Sequence, residues 1–425
     1  MIIENKNQLS EFLKGYSSQN SIIIPIQNDE NKHPIEDELC LLYVQLFDGK
    51  EYILPFNHSE ALNIDIPDLN SNTTKYTSNK KQLSHLITIN NVVDTNLLTY
   101  GEENKPISLE DISTNAHNFF QMKYYKKSDI NRIIPILKHL DYCRQLSNVM
   151  RDKIDKYSDS VNMSYNNEVL DNLTYVESNG IQSVEGIKYT EYNLYTSTGR
   201  PSNRFGGINF AALNKKDGSR EQFVSRFGGD GVLVEMDFDA YHLRLIADKV
   251  NYEFPRGSVH EHMAQFYGVD YEEAKKLSFQ YLYGYIPQEV TEVNPYFEKV
   301  SEYISQLWYE FKDKEFIESD IYMRKIFKSN LNDMNANKLF NYTIQLMETE
   351  NNMRVLNNLI PQIKEYDSKL VLYSYDSFLF DFNMKDGLGY LKKVKDVLEQ
   401  EGKYPVKVSW GLNYHEMKDI TRKFV

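Results

Sequence analysis

Cysteine is almost absent from this chain. It has two, Cys40 and Cys143, in 425 residues, too far apart in sequence for a disulfide framework or a zinc cluster. A reducing, intracellular setting is the expectation. Long apolar runs are missing too. Stretches such as Ile22 to Ile26 fall far short of the roughly 20 residues that cross a bilayer, so no membrane partner is expected. The amino terminus reads Met-Ile-Ile-Glu-Asn-Lys, without the basic region and apolar run of a secretory signal. With 19 glycines and 12 prolines the composition is not collagen-like, and no internal repeat or low-complexity tract stands out. Positive charge is also in short supply. The net charge is −13, which by itself speaks against a nucleic-acid partner.

What is present suits a soluble globular protein: 41% hydrophobic and 26% charged residues, with length for two or three domains. The charge is uneven. Residues 1–120 carry −9, residues 121–230 carry +3 and the remainder −7. Lys123, Lys126, Lys127, Arg132, Lys138, Arg200, Arg204, Lys215, Lys216, Arg220 and Arg226 make the middle section cationic. A local basic surface can hold phosphates while the rest of a protein stays acidic, although scattered surface lysines are also ordinary.

Alternation and turn residues predict strands at Ser21–Gln27, Leu41–Phe47 and Tyr52–Phe56, with Asp48-Gly49 as a hairpin turn. A loop is expected over Asn70–Lys81, a helical region from about Leu109 to Lys156, and a polar stretch over Tyr157–Gly180. Then come a strand (Gly231–Met236), helices near Val259–Tyr283, Pro295–Lys312 and Asn335–Leu359, and a strand pair, Lys369–Tyr373 and Phe378–Phe382. A helix over Gly387–Glu401 and a strand over Pro405–Trp410 close the chain.

Two carboxylates draw attention. Asp237 ends the apolar strand Gly-Val-Leu-Val-Glu-Met-Asp, and Asp376 stands at a hairpin tip between two apolar strands. Read singly, each is an ordinary turn residue. Together, on adjacent strand ends, they suit a pair of Mg²⁺ ions about 3.5–4 Å apart, as in-line phosphoryl transfer requires. Hard oxygen ligands favour Mg²⁺, and no His/Cys cluster competes for a softer metal. Lys275, Phe279 and Tyr283 recur every four residues on one helix face. That face offers a cation and two rings, or simply the apolar side of an amphipathic helix.

In chain order the three segments, around Asp237, Lys275 and Asp376, resemble motifs A, B and C of family A DNA polymerases, the bacterial polymerase I group. Thr198-Gly199-Arg200-Pro201-Ser202 is similar to the family's TGR segment, with Asn209 near its following asparagine. His260 falls where a triphosphate-contacting histidine precedes the fingers helix. Asn341-Tyr342-Thr343-Ile344-Gln345 resembles the minor-groove segment, and Tyr404 to Tyr414 the final strand. The resemblance implies an α+β right-hand polymerase: an antiparallel palm sheet, helical fingers and a reduced thumb, preceded by an RNase H-like domain. It implies that Asp237, Asp376 and the Phe238 carbonyl hold two Mg²⁺ ions, with Mn²⁺ as a substitute. Lys275 and His260 would bind the triphosphate. Phe279 and Tyr283 would shape the base-pair pocket, and Arg200, Asn341 and Gln345 would touch primer–template DNA. The domains implied are 1–130 exonuclease-like, 131–195 thumb, 196–250 and 316–425 palm, and 251–315 fingers.

The departures from the family are specific. Motif C reads Tyr375-Asp376-Ser377 in place of His-Asp-Glu, His242 replaces the glutamate that excludes a ribose 2′-OH, and Tyr271 replaces a fingers arginine. At the amino end, Val93-Asp94-Thr95 to Tyr100 resembles the proofreading exonuclease's DTM-x-x-x-Y segment. That exonuclease needs Asp-x-Glu on its first strand, where this chain has Pro25 and Gln27. Leu69–Val93 contains no Asp or Glu, which leaves Asp129 as the sole metal-binding carboxylate and implies a structural remnant. The expectation is a template-directed DNA polymerase that uses dNTPs and lacks proofreading, compact as in phages and acting in the host cytoplasm. A processivity factor or replicative helicase is an expected partner. The alternatives are a single-subunit RNA polymerase, which shares the three motifs, and a catalytically silent DNA-binding subunit.

Overall fold

The computed structural model describes residues 1–105, 131–157, 163–255 and 257–424. Lys123, Lys126, Lys127, Asp129 and the expected helix start at Leu109 lie outside the described residues. The chain divides into two compact units, Met1–Ser178 and Asn179–Val425.

The first unit grows from the run Ser-Ile-Ile-Ile-Pro-Ile-Gln. A continuous apolar strand of this kind suits a sheet covered on both faces. Helix α1 (Lys6–Tyr16) precedes it, and as β1 (Ser21–Gln27) the run is buried along its whole length. Successive side chains alternate, so Ile23 joins Phe12 and Tyr16 in one layer while Ile22, Ile24 and Ile26 join another. β2 (Leu39–Leu46) and β3 (Glu51–Pro55) continue an antiparallel meander through a turn where Gly49 takes φ +90°. β4 (Lys75–Thr77) and β5 (Val92–Asp94) then add in parallel, giving the order β3-β2-β1-β4-β5. Along β1, β4 reaches only Ser21 and Ile22, so Pro25 stands where β1 has lost that neighbour and its missing N–H does little harm.

Around this sheet lie α2 (Lys80–Leu86), α3 (Thr95–Glu103), α4 (Ile136–Tyr157) and α5 (Met163–Asn179). Cys143, Leu146, Met150 and Ile154 of α4 cover the Ile22–Ile26 layer. Two expectations need correction. The loop placed over Asn70–Lys81 contains β4 and the start of α2, hidden because the inward residues Lys75 and Thr77 are polar. The polar stretch Tyr157–Gly180 is mostly helix α5, whose buried Tyr165, Val169, Leu173 and Val176 keep a helical period among many polar neighbours.

In the second unit two small ribbons come first: β6 (Ile181–Ser183) with β7 (Gly186–Lys188), and β8 (Tyr192–Asn193) with β9 (Ser202–Phe205) and β10 (Ile208–Asn209). The main sheet is antiparallel throughout. It sets β11 (Gly231–Phe238) between β15 (Ser377–Asn383) and β16 (Val406–Gly411), with β14 (Lys369–Ser374) and β17 (Lys418–Asp419) at its edges. Helices α6 (Tyr241–Lys249), α7 (Val259–Tyr267), α8 (Tyr271–Tyr283), α9 (Gln288–Val293) and α10 (Pro295–Asp313) follow β11. β12 (Phe316–Glu318) and β13 (Lys325–Phe327) pair before the long helix α11 (Ala336–Ile363), and α12 (Gly387–Glu399) lies between β15 and β16. The single helix expected near Val259–Tyr283 is therefore two. Gly268, at φ +66°, ends α7, and Asp270 caps α8 by accepting from the Glu273 N–H at 3.0 Å.

A buried ion cluster ties α2 to α5 in the first unit. The Glu177 carboxylate, 1% exposed, accepts from the Lys81 ammonium and lies 2.8 Å from His85 Nε2. Burial would raise this carboxyl, yet Lys81 and then His85 hold it below the ordinary range. Removing one partner strands the others without compensation. Glu177→Ala is expected to cost about 3–5 kcal/mol, read as a lowered midpoint in chemical denaturation, whereas Lys50→Ala at the exposed Asp48 pair should change little.

Candidate active site

The fold delivers the two motif aspartates to one place. Asp237 is the penultimate residue of β11, and its register partner on β15 is Ser377, the residue after Asp376. The Phe238 N–H donates to the Asp376 carbonyl at 3.0 Å, locking the strand end to the hairpin tip. That tip bends through Tyr375 at φ +57°, a costly conformation for a large residue. The Asn352 side chain on α11 holds it by donating to the Tyr375 carbonyl at 2.6 Å. Phe238 is buried and stacks on Tyr241, with ring centroids 4.2 Å apart.

The electrostatics of the pair are unfavourable by themselves. Desolvation first, then the Asp376 and Glu235 carboxylates, push Asp237 up to about 7. Desolvation and the Glu348 carboxylate raise Asp376 as well, although this residue stays exposed at the turn tip. Two carboxyls that disfavour each other's charge are a fitting seat for cations.

A helical face stands nearby. Lys275 is exposed on α8, while Phe279 and Tyr283 stack almost parallel, 7° between planes at 6.0 Å. His260 on α7 is 2% exposed and lies against Phe279 and Tyr271 at 5.5 and 5.7 Å. Burial, with help from Lys275, Lys407 and Arg244 against the pull of Asp239, lowers its imidazole to about 4. His260 is therefore a neutral ring at pH 7. Lys407 on β16 is directly opposite Asp237 in the ladder, which puts both side chains on one sheet face. Its ammonium is 2.6 Å from Asp239 Oδ1 and hydrogen-bonds Tyr271. A lysine from the main sheet thus stands beside Tyr271 of α8.

The remaining expected residues converge on α11. Arg200 ion-pairs with the fully buried Glu348 at 2.9 Å, and its guanidinium lies 3.7 Å over the Tyr375 ring. Arg324 approaches Gly199 so closely that a Cβ there would sit 2.4 Å from its guanidinium, which accounts for the glycine. Gln345 accepts from the Thr198 hydroxyl at 3.1 Å, and Asn341 donates to the Tyr283 carbonyl at 3.4 Å. His242 hydrogen-bonds the Tyr283 hydroxyl through Nδ1 and lies 3.2 Å from Glu348 through Nε2. Asn209 is exposed on β10, and it is Asn203 on β9 that reaches the motif C strand, donating to the Tyr373 carbonyl at 3.2 Å. Glu348, Lys407, Asn203 and Asn352 escaped the sequence reading. For Glu348, Asn203 and Asn352 the only signal was a charge or amide at a buried position, and Lys407, at an outward strand position, gave none.

In the first unit, Gln27 does not stand open to solvent. Its amide donates to Asp29 and Lys32 carbonyls, and its oxygen accepts from Gln82 at 2.9 Å. Asp94 is spent capping α3, accepting from the Lys80, Asn96 and Leu97 N–H groups. Among the described residues one group has metal-ligand spacing, His33, His85 and Glu177, with ligand atoms within 4.8 Å of one another, but Glu177 already carries the Lys81 ammonium. No helix of the described residues is long and apolar enough to cross a membrane.

No family model and no curated protein sequence matches the chain. A solved structure does. The polymerase domain of Pol1 from M. smegmatis, in complex with DNA primer–template and dNTP, aligns with 98% of this chain and 100% of its own at TM-score 0.72 and 13% sequence identity. The likeness defines the fold: a mixed α and β polymerase domain of the polymerase I type.

A carboxyl raised by its surroundings costs stability as it ionises, so the cost at Asp237 grows as pH climbs from about 4 to about 7. In metal-free buffer Asp237→Asn is expected to raise thermal stability at pH 8 by on the order of 2–4 kcal/mol and to lose that gain near pH 4. Melting temperatures across this range check it; an advantage that is flat with pH would contradict the assignment.

Proposed function

We propose that this chain is a template-directed DNA polymerase of family A that extends a primer 3′-OH with dNTPs. The observation that carries the reading is the junction of Asp237 and Asp376 at one sheet end, fastened by the Phe238 to Asp376 backbone bond and placed with the Lys275 face in a polymerase fold. The M. smegmatis domain is bound to primer–template DNA and dNTP, which supports the same partners here. Residues 196–250 and 316–425 are assigned to the palm, 251–315 to the fingers and 131–195 to a small thumb.

The residues present suit divalent cations. Asp237 and Asp376 are hard oxygen donors whose mutual repulsion a cation relieves, and the Phe238 carbonyl adds a neutral oxygen. Two Mg²⁺ ions, or Mn²⁺ in their place, would supply charge neutralisation at the reacting phosphate. The chain's own residues supply position. Lys275 and Lys407 draw the triphosphate, the Phe279–Tyr283 stack presents a flat wall to the nascent pair, and Arg200, Asn341 and Gln345 line the primer–template side. Minor-groove acceptors occur in both A·T and G·C pairs, so amides there check shape without reading sequence. The amino-terminal unit is assigned as an RNase H-like remnant without proofreading, because Gln27 and Pro25 occupy the ligand positions of its first strand.

Primer extension with dNTPs or rNTPs and Mg²⁺ is the test. Wild type should extend with dNTPs. Asp237→Asn and Asp376→Asn should each lose on the order of 10³-fold or more in rate while still binding primer–template in a gel-shift assay. Near-normal extension by either would refute the metal assignment, and preference for rNTPs would make the chain an RNA polymerase. Lys275→Ala should raise the apparent KM for dNTP and lower turnover. A labelled mismatched primer incubated with metal alone should stay intact; shortening that copurifies with the protein would show a working exonuclease.

A further inference from the structure

His242 occupies the position where the resemblance puts a sugar-excluding glutamate, and an imidazole by itself is not a carboxylate. The structure places a carboxylate beside it from another element. Glu348 projects from α11, is 0% exposed, and its Oε2 lies 3.2 Å from His242 Nε2. The opposite ring nitrogen of His242 hydrogen-bonds the Tyr283 hydroxyl, and the two rings meet edge to face at 5.8 Å. Tyr283 is in turn stacked on Phe279, and its carbonyl accepts from Asn341. One chain of contacts therefore runs Arg200–Glu348–His242–Tyr283–Phe279.

Burying a carboxylate is expensive, and here two cationic side chains approach it, although Arg200 Nε, His242 Nε2 and Glu348 Oε2 meet at ion-pair distance without hydrogen-bond geometry. Burial would raise the Glu348 carboxyl, but His242 first and Arg200 next hold it below its ordinary range. Arg200 engages both oxygens, Nε to Oε2 at 2.9 Å and Nη2 to Oε1 at 3.1 Å. Arg200 alone would satisfy the charge. The additional approach to His242 sets the Nε2 side of that ring 3.2 Å from the carboxylate. With Nε2 turned to a carboxylate, Nδ1 is turned to Tyr283, and the imidazole has one orientation left.

We propose that Glu348 is the acidic member of a relocated sugar gate: it positions His242, and through it Tyr283, so that a 2′-OH on an incoming nucleotide meets a rigid wall. The inference rests on the polymerase reading above. Glu348 is a positioning residue, since it acts through His242. The carboxylate of the gate has moved from the segment after β11 to α11, and a histidine spans the gap.

The experiment is single-nucleotide insertion of dNTP against rNTP on a primer–template, with kcat and KM measured separately for each. Wild type should prefer dNTP. Glu348→Gln, which keeps shape but removes the charge, should lower the dNTP-to-rNTP ratio of kcat/KM about tenfold or more, mainly through a lower KM for rNTP. A merely structural role would instead lower both substrates' values together. His242→Glu alone should extend more poorly than wild type because two carboxylates then share one buried site. The double substitution H242E/E348Q returns the acid to the segment after β11 and should restore dNTP preference.

An unchanged ratio in Glu348→Gln, alongside a shifted ratio in His242→Ala, would overturn the inference and leave the polymerase reading standing. If Glu348→Gln does not fold, the double variant decides: selective extension supports the relay, and unselective or absent extension overturns it. A wild type that extends nothing removes both readings at once.

Discussion

Helix α11 buries five consecutive polar residues, Glu348, Thr349, Glu350, Asn351 and Asn352, and several segments of the second unit pair with four of them, while the Thr349 hydroxyl and one oxygen each of Glu348 and Glu350 make no hydrogen bond. Asn351 donates to the Tyr241 hydroxyl, and that hydroxyl donates to Asn352 at 2.8 Å. Asn352 holds the Tyr375 carbonyl, and so the turn that presents Asp376. Glu350 accepts the Tyr322 N–H at 3.2 Å, and Glu348 gathers Arg200 and His242. A polar group left unpaired in such a place costs about 1–3 kcal/mol, more for a charge, so the seam admits few alternative packings. The segment just after β11, the turn at Asp376 and the Thr198–Ser202 segment are all tied to this one helix.

The charge pattern completes this picture. Several cations of this acidic chain face acidic groups on and around β11 and α11: Arg200 on Glu348, Lys407 and Arg244 on Asp239, Lys215 and Arg220 on Glu235. The net charge of −13 is thus a poor guide to the local field. Asp237 and Asp376 are the exception, raised together and lacking a close ion pair among the described residues. Holding two like charges together in this way costs stability.

The legible parts of the fold were those with one strong period. β1, β11 and the β14–β15 hairpin are runs of Ile, Val, Leu and Phe bounded by turn residues, and they appear within a residue or two of expectation. Segments whose inward residues are polar were misread. Lys75 and Thr77 hide β4, and the mixed composition of α5 hides a regular apolar stripe. The break between α7 and α8 was marked by Gly268 and Asp270, which a reading of apolar spacing alone passes over.

The sequence by itself determined which chemistry was available: two aspartates after apolar strands, a lysine–aromatic helix face, and an arginine after Thr-Gly. Those are local patterns, and a strand or helix period reports them without knowledge of the partner. Only the tertiary structure decided which groups meet. Glu348 and His242 are more than 100 positions apart, and nothing in either segment signals the other. Lys407 faces Asp237 solely because β16 pairs with β11 in one register, and a shift of one residue would turn the lysine to the opposite face. Contact between distant segments depends on register and on the compensation of buried charge, and both are properties of the packed chain rather than of any window along it.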